Sequence, residues 1–200
     1  AAMFGLDARI ALAIFGALSV ISGAALYSAI QQAKVVAIVA DINEFSKAHT
    51  AYYLDVGELM SLNVAASYNG LRPITEELIT STKKNWQGPY IDYKDKWASL
   101  DGYLYYGKYN ADTIHYFYAK DGPWGNSTSI GASEMCETTS ACYLWVVIHE
   151  VEPNIADDLD IYYDKTKDYD SGNFRVLTTD ANSNGRYDVV AYKYNVVPFN

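Results

Sequence analysis

At 200 residues the chain has room for one ordinary domain, or for a smaller domain with an appendage. Half of it is hydrophobic and only 20% is charged, which excludes a disordered or purely electrostatic protein. With 15 Lys and Arg against 24 Asp and Glu the net charge is −9, and no nucleic-acid partner is expected, because backbone binding needs basic surface to displace counterions.

The first element is an uncharged run from Ile10 to Ile30, with Asp7 and Arg9 before it and Lys34 after it. As a helix it would span roughly 31 Å, about one bilayer core. A cleaved secretory signal would have a shorter apolar core, about 7–15 residues, behind a basic leader. Here the leader AAMFGLDAR is nearly neutral, although SGAAL offers a small-residue cleavage pattern. A core helix of a soluble domain would rarely be apolar all round over such a length. The expectation is therefore a retained, membrane-inserting helix. Ala13 and Ala17 are four residues apart, as are Ser19 and Gly23, so each pair leaves a small patch on one face. Such patches let helices approach closely where lipid removes the hydrophobic drive. Gly16 and Gly23 are also weak helix positions, where a packed helix can unwind locally.

After Gln31-Gln32 the pattern becomes amphipathic. Val35, Ile38, Ile42, Phe45, His49 and Tyr52 recur at spacings of three and four, one stripe of a helix. Lys34, Asp41, Glu44 and Lys47 lie largely off it. Asp55-Val56-Gly57 reads as a stop. One helix from about Ala8 to Tyr53, on the order of 70 Å long, is expected. His49 reads as a hydrogen-bonded core residue rather than a ligand. Two parts follow: a hydrophobic stem, residues 1–33, and a globular head, residues 34–200, that includes the amphipathic half of the helix.

Beyond Gly57 the segment from Pro73 to Ile79 starts like a short helix, with Thr75 as its cap. Aromatic and β-branched runs then alternate with turn residues. Gly102 to Tyr106, Thr113 to Ala119, Ala141 to Val151, Phe174 to Thr179 and Tyr187 to Val196 are the strand candidates. Helix first and strands afterwards predicts an α+β fold, a long N-terminal helix packed on an antiparallel sheet. The acidic stretch Asp157, Asp158, Asp160, Asp164, Asp168 and Asp170 reads as a solvated loop rather than a second site.

Cys136 and Cys142 are the only cysteines. In an exported head a disulfide is the expected chemistry; two buried thiols, or two ligands of a metal without visible partners, are the alternatives. In Asp180-Ala-Asn182-Ser-Asn184-Gly185-Arg186-Tyr187-Asp188, oxygen side chains stand at positions one, three, five and nine of a calcium-type loop, with Gly at six. Arg186 would offer its backbone carbonyl at seven. Position twelve is Ala191, where an EF-hand places a bidentate Glu. The same Asn184-Gly185 pair is also a strong hairpin signal, and a hairpin loop can carry Ca2+ as well.

No catalytic constellation emerges. There is no glycine-rich phosphate loop, no Gly-x-Ser-x-Gly elbow and no His-Glu-x-x-His. His149 and Glu150 are adjacent in a strand candidate and so face opposite sides.

The layout resembles a type IV pilin or a type II secretion pseudopilin, most clearly over residues 1–56. Two later pieces, Trp86-Gln87-Gly88-Pro89-Tyr90-Ile91 and Pro123-Trp124-Gly125-Asn126, are similar to elements of the major pseudopilins, though farther apart than in that pattern. The resemblance implies a non-enzymatic structural subunit that polymerises through its stem into an extracellular or periplasm-spanning filament. Its partners would be other copies of itself, an inner-membrane assembly machinery and a prepilin peptidase. It would sit in the inner membrane before assembly. Many members bind calcium in the C-terminal β region. Bacterial members usually begin with Phe or Met and carry Glu at the fifth position, which meets a neighbour's terminal amine. Counted from Ala1 the fifth residue here is Gly5, and the nearest acid is Asp7, fourth if counted from Phe4. Phe4 and Asp7 are thus the candidates for that contact, and Ala13, Gly16, Ala17, Ser19 and Gly23 for stem packing. The rival from another class is a monomeric, membrane-anchored extracytoplasmic binding or sensor domain that uses the same helix only as a tether.

Overall fold

A single helix, α1, runs from Phe4 to Val56 in the computed structural model, which describes residues 4–63, 72–95, 102–131, 134, 136 and 141–198. It extends past the expected ends on both sides. Its C-terminus is closed by Gly57, whose φ of 83° lies in the left-handed region and whose N–H still reaches the Tyr53 carbonyl at 2.9 Å. The chain forms two compact units, the first ending at Ile38 and the second beginning at Val39.

In the first unit every large apolar side chain from Ile10 to Ile30 is exposed, from 47% at Ile30 to 74% at Leu12. With a mean hydropathy of 2.1 over its most apolar 18 residues, α1 is long and apolar enough to cross a membrane.

The second unit is built on one antiparallel six-stranded sheet. Its strands are β1 (Lys94–Asp95), β2 (Leu104–Tyr105), β3 (Thr113–Ala119), β4 (Cys142–Val151), β5 (Phe174–Leu177) and β6 (Tyr187–Val197). They lie in the order β1-β2-β3-β4-β6-β5. The long pairs are β3 with β4, where Phe117 stands opposite Trp145, and β4 with β6, where Val147 stands opposite Ala191.

Alternation along these strands builds two apolar layers. Ile114, Tyr116 and Tyr118 on β3 face α1, whose Ile42, Phe45, His49 and Tyr52 are buried. Phe45 stacks on Tyr116 with ring centroids 4.3 Å apart, and the Tyr116 hydroxyl donates to the Phe45 carbonyl. On the opposite face Ala119, Trp124, Trp145, Val147 and Ala191 form a second core beneath the loop after β3. Because both faces are covered, the central strands read as nearly continuous apolar runs.

Three elements depart from expectation. A second helix, α2 (Pro153–Asp164), occupies most of what read as an acidic solvated loop. Pro153 in its first turn and buried Ile155, Ala156 and Leu159 form it, while Asp157 and Asp158 hide that stripe from a composition-based reading. Asp157 and Asp160 then hold the following turns: Lys167 donates to Asp157 at 2.8 Å and the Asp168 N–H donates to Asp160 at 2.7 Å. The helix after Pro73 is a single 3-10 turn, Thr75–Leu78, capped at Ile74 without a side-chain bond. Thr75 is buried inside it and accepts the Tyr116 N–H at 3.4 Å, so it is a core residue and not a cap. Strand β1 carries no apolar alternation and gave no signal.

Candidate functional site

The stem candidates all lie on α1. Asp7, Ala13, Gly16, Ala17, Ser19 and Gly23 are exposed, and the Phe4 side chain falls outside the described residues. Apart from the adjoining residues and the helix's own backbone, no atom stands within 4 Å of the position a Cβ would take at Gly16 or Gly23, so both leave open notches in the apolar surface. Ser19 Oγ donates to the Phe15 carbonyl at 2.8 Å, which satisfies the one hydroxyl of its patch within its own helix.

The two short pieces that carried the resemblance are structural clamps. Trp86 Nε1 donates to the Glu77 carbonyl at 2.7 Å. The Tyr90 hydroxyl donates to Asp55 near the end of α1 at 2.9 Å, and the Tyr90 N–H donates to the Leu78 carbonyl at 2.8 Å. Gly88 precedes a cis Pro89, and a Cβ there would sit 2.5 Å from the Trp86 ring. In the second piece Trp124 is buried edge-on to Trp145 at 4.9 Å. Gly125 is required at its position: with φ 121°, a Cβ would lie 2.0 Å from the Tyr169 carbonyl oxygen. Asn126 then bonds through its backbone to Val176 and Thr178, each at 2.6 Å.

Residues 178–186 connect β5 to β6, so the expected hairpin is present, with a longer loop than a two-residue Asn-Gly turn. Its carboxylates organise its own backbone. Asp180 accepts the N–H groups of Asn184 at 2.9 Å and Gly185 at 2.8 Å; Asp188 accepts the Ala181 N–H at 3.0 Å and the Thr179 hydroxyl. Arg186 donates to the Asn110 carbonyl at 2.5 Å. Asn182 and Asn184 both donate their amides to Glu150, at the end of β4, the first at 2.7 Å. Glu150 has φ 63°, a left-handed turn that separates it from His149 and brings it to this loop. It was not a candidate, because its neighbours in sequence give no hint of a partner 32 residues away. Among the described residues, no three His, Cys, Asp or Glu side chains gather closely enough to hold a metal ion, so any cation here would depend on amide and carbonyl oxygens as well.

Cys136 and Cys142 are disulfide-bonded, with Cα atoms 5.4 Å apart. The bridge anchors the start of β4, where Cys142 is buried.

One polar cluster on the helix was not foreseen. Asp41 reads as an off-stripe residue, yet it is buried: it accepts the Tyr106 hydroxyl at 2.7 Å and Lys108 Nζ at 2.8 Å. Burial, and then the bond to Asp41, push the Tyr106 hydroxyl well above the usual phenol range. A carboxylate with two such donors can enter a core that excludes an unpaired one.

Residues 25–131 match the family described as type II secretion system (T2SS), protein G. The match begins inside the exposed apolar segment of α1 and ends in the loop after β3, so β4, α2, β5 and β6 lie beyond it. No curated protein and no solved structure matches the chain.

Proposed function

The chain belongs to the type II secretion system protein G family, and on that premise we propose that it is a pseudopilin-type structural subunit, held in the inner membrane through Ile10–Ile30 and then drawn into a polymer of its own copies. The observation that carries this reading is the fully exposed apolar surface of the stem, with none of its most apolar window buried. In water such a surface demands cover. Lipid supplies that cover before assembly, and neighbouring stems supply it afterwards. The notches at Gly16 and Gly23 and the small residues Ala13, Ala17 and Ser19 let neighbours approach closely. Asp7 is the acid available for a neighbour's terminal amine. The head's buried side chains serve packing, which suits a structural role rather than a catalytic one. Other components of a secretion apparatus, an assembly machinery and a prepilin peptidase, would be its partners, in a periplasm-spanning or extracellular filament.

In the same reading the 178–186 loop takes up Ca2+, with Asp180, Asn182, Asn184, the Arg186 carbonyl and Asp188 as oxygen donors. The alternating oxygens and the left-handed Gly185 support this, and Glu150, which accepts from Asn182 and Asn184, is an acid at hand to replace the one missing at Ala191.

The test is cysteine crosslinking in native membranes and sheared extracellular material. With Ala17→Cys in the full chain, a ladder of multimers together with filaments of uniform diameter is expected. Monomers alone, in membranes active for secretion, would favour the tethered sensor domain.

A further inference from the structure

On the sheet face opposite α1 lies a cleft of about 200 Å³. Its walls include Arg72, Tyr103, Phe117, Trp124, Val147 and His149. Three facts set it apart from ordinary packing. The Arg72 guanidinium lies 4.4 Å from the Tyr103 ring centre and 5.6 Å from that of Phe117, and forms no ion pair among the described residues, although the chain carries nine more acids than bases. Among the described residues the Trp124 indole N–H and the Arg72 Nε have no acceptor, and both atoms are shut away from solvent. Beside them His149 stacks on His115 at 5.0 Å, with its Nε2 likewise without a partner among the described residues. Burial first, and then the Arg72 charge, lowers the His149 pKa to about 4, so the ring is neutral and Arg72 is the cleft's one cation among its described walls.

A half-buried arginine packed against two aromatic rings, with no counter-ion among the described residues, is complementary to an anion's oxygens. Ser129, Tyr103 and His149 add polar atoms, but most of the remaining wall is apolar, and so is the body of a ligand that fits it. Pockets for drug-sized ligands enclose about 300–1,000 Å³, so this smaller one admits a single ring or a short branched chain. We propose that the cleft binds a small free monocarboxylate with an apolar body, its carboxylate on Arg72 and its hydrocarbon against Phe117 and Val147. This role is independent of polymerisation, and nothing in the family assignment requires it.

Phenylacetate and its uncharged amide, phenylacetamide, are the probes, titrated against the detergent-solubilised full chain while the His149 ring protons are followed by NMR. The expected result is saturable displacement of the His149 resonance by phenylacetate, with the amide bound about tenfold more weakly or worse. Arg72→Gln should abolish the difference between acid and amide. If that variant does not fold, the acid–amide comparison on the unmodified chain decides alone. Equal binding of acid and amide, no shift at millimolar phenylacetate, or tighter binding of N-acetylphenylalanine, which would assign the cleft to peptide C-termini, would each overturn the proposal.

Discussion

His49 on α1 and Tyr118 on β3 meet at 2.9 Å, ring nitrogen to hydroxyl, inside the core between helix and sheet. Both are buried. Burial lowers the His49 pKa from 6.5 to about 4, so the ring is neutral in the folded head and can accept the tyrosine proton. The unfolded chain takes up a proton below about pH 6.5, whereas the folded head does so only near pH 4. This contribution to stability is therefore complete above pH 6.5 and is lost as pH falls toward 4, to a total of about 3 kcal/mol. His49→Gln should flatten the acid side of the stability profile in thermal melts of the detergent-solubilised chain. Parallel profiles for both proteins would show that His49 does not titrate this way. Asp160 works in the opposite direction: burial raises its pKa to about 6, so it favours the fold as pH drops below that value.

The Asp41 cluster predicts non-additive energetics. Asp41→Ala leaves the buried Tyr106 hydroxyl without its acceptor and should cost about 2–3 kcal/mol. Tyr106→Phe in the Asp41→Ala background should then cost clearly less than in the unmodified chain. A double-mutant cycle by denaturant unfolding measures the coupling. Simple additivity would mean that the bond contributes nothing.

Stem cohesion predicts a separable defect. Leu18 is 58% exposed on α1, and an aspartate there carries an insertion penalty of about 2.5–3.5 kcal/mol at a helix centre. Leu18→Asp should eliminate filaments in electron micrographs, while near-ultraviolet dichroism of the tyrosine-rich head stays unchanged. Filaments of normal number and diameter would contradict the assigned role of the stem.

Calcium in the 178–186 loop predicts a conditional effect. Asp180→Ala removes the acceptor for two backbone N–H groups whether or not calcium is present, so a small constant loss is expected in chelator. An additional drop in melting temperature should appear only when calcium is supplied, because the unmodified chain alone gains by mass action. Equal losses in both conditions would leave the segment a turn and nothing more. Glu150→Gln should reproduce part of the calcium-dependent drop.

Much of the architecture was legible because the patterns were long. Strand β3 is read residue for residue, and β4 to within one residue, since each stands between clear turn signals. The stem is legible from the absence of charge alone. What escaped notice depends on partners distant in sequence. Asp41 becomes a core residue only because Tyr106 and Lys108 reach it. The helix α2 was obscured because its acids are as many as its buried residues, yet Asp160 and Asp164 serve the neighbouring backbone. The Arg72 cleft draws on residues from six separate stretches, and Glu150 reaches its loop through one left-handed backbone turn.

The family match stops at residue 131, but the sheet does not. Strand β4 is hydrogen-bonded to β3 along six residue pairs, from Ile114↔Ile148 to Ala119↔Tyr143, and lies at the middle of the strand order. A fragment trimmed to the matched segment would end on a raw seam, with the amides of β3 bare and the Trp145 side of the interior missing. Such a piece would stick to other copies edge to edge rather than through its stem. Expression boundaries for this protein must therefore follow the hydrogen-bond ladder through β6, not the limits of detectable kinship.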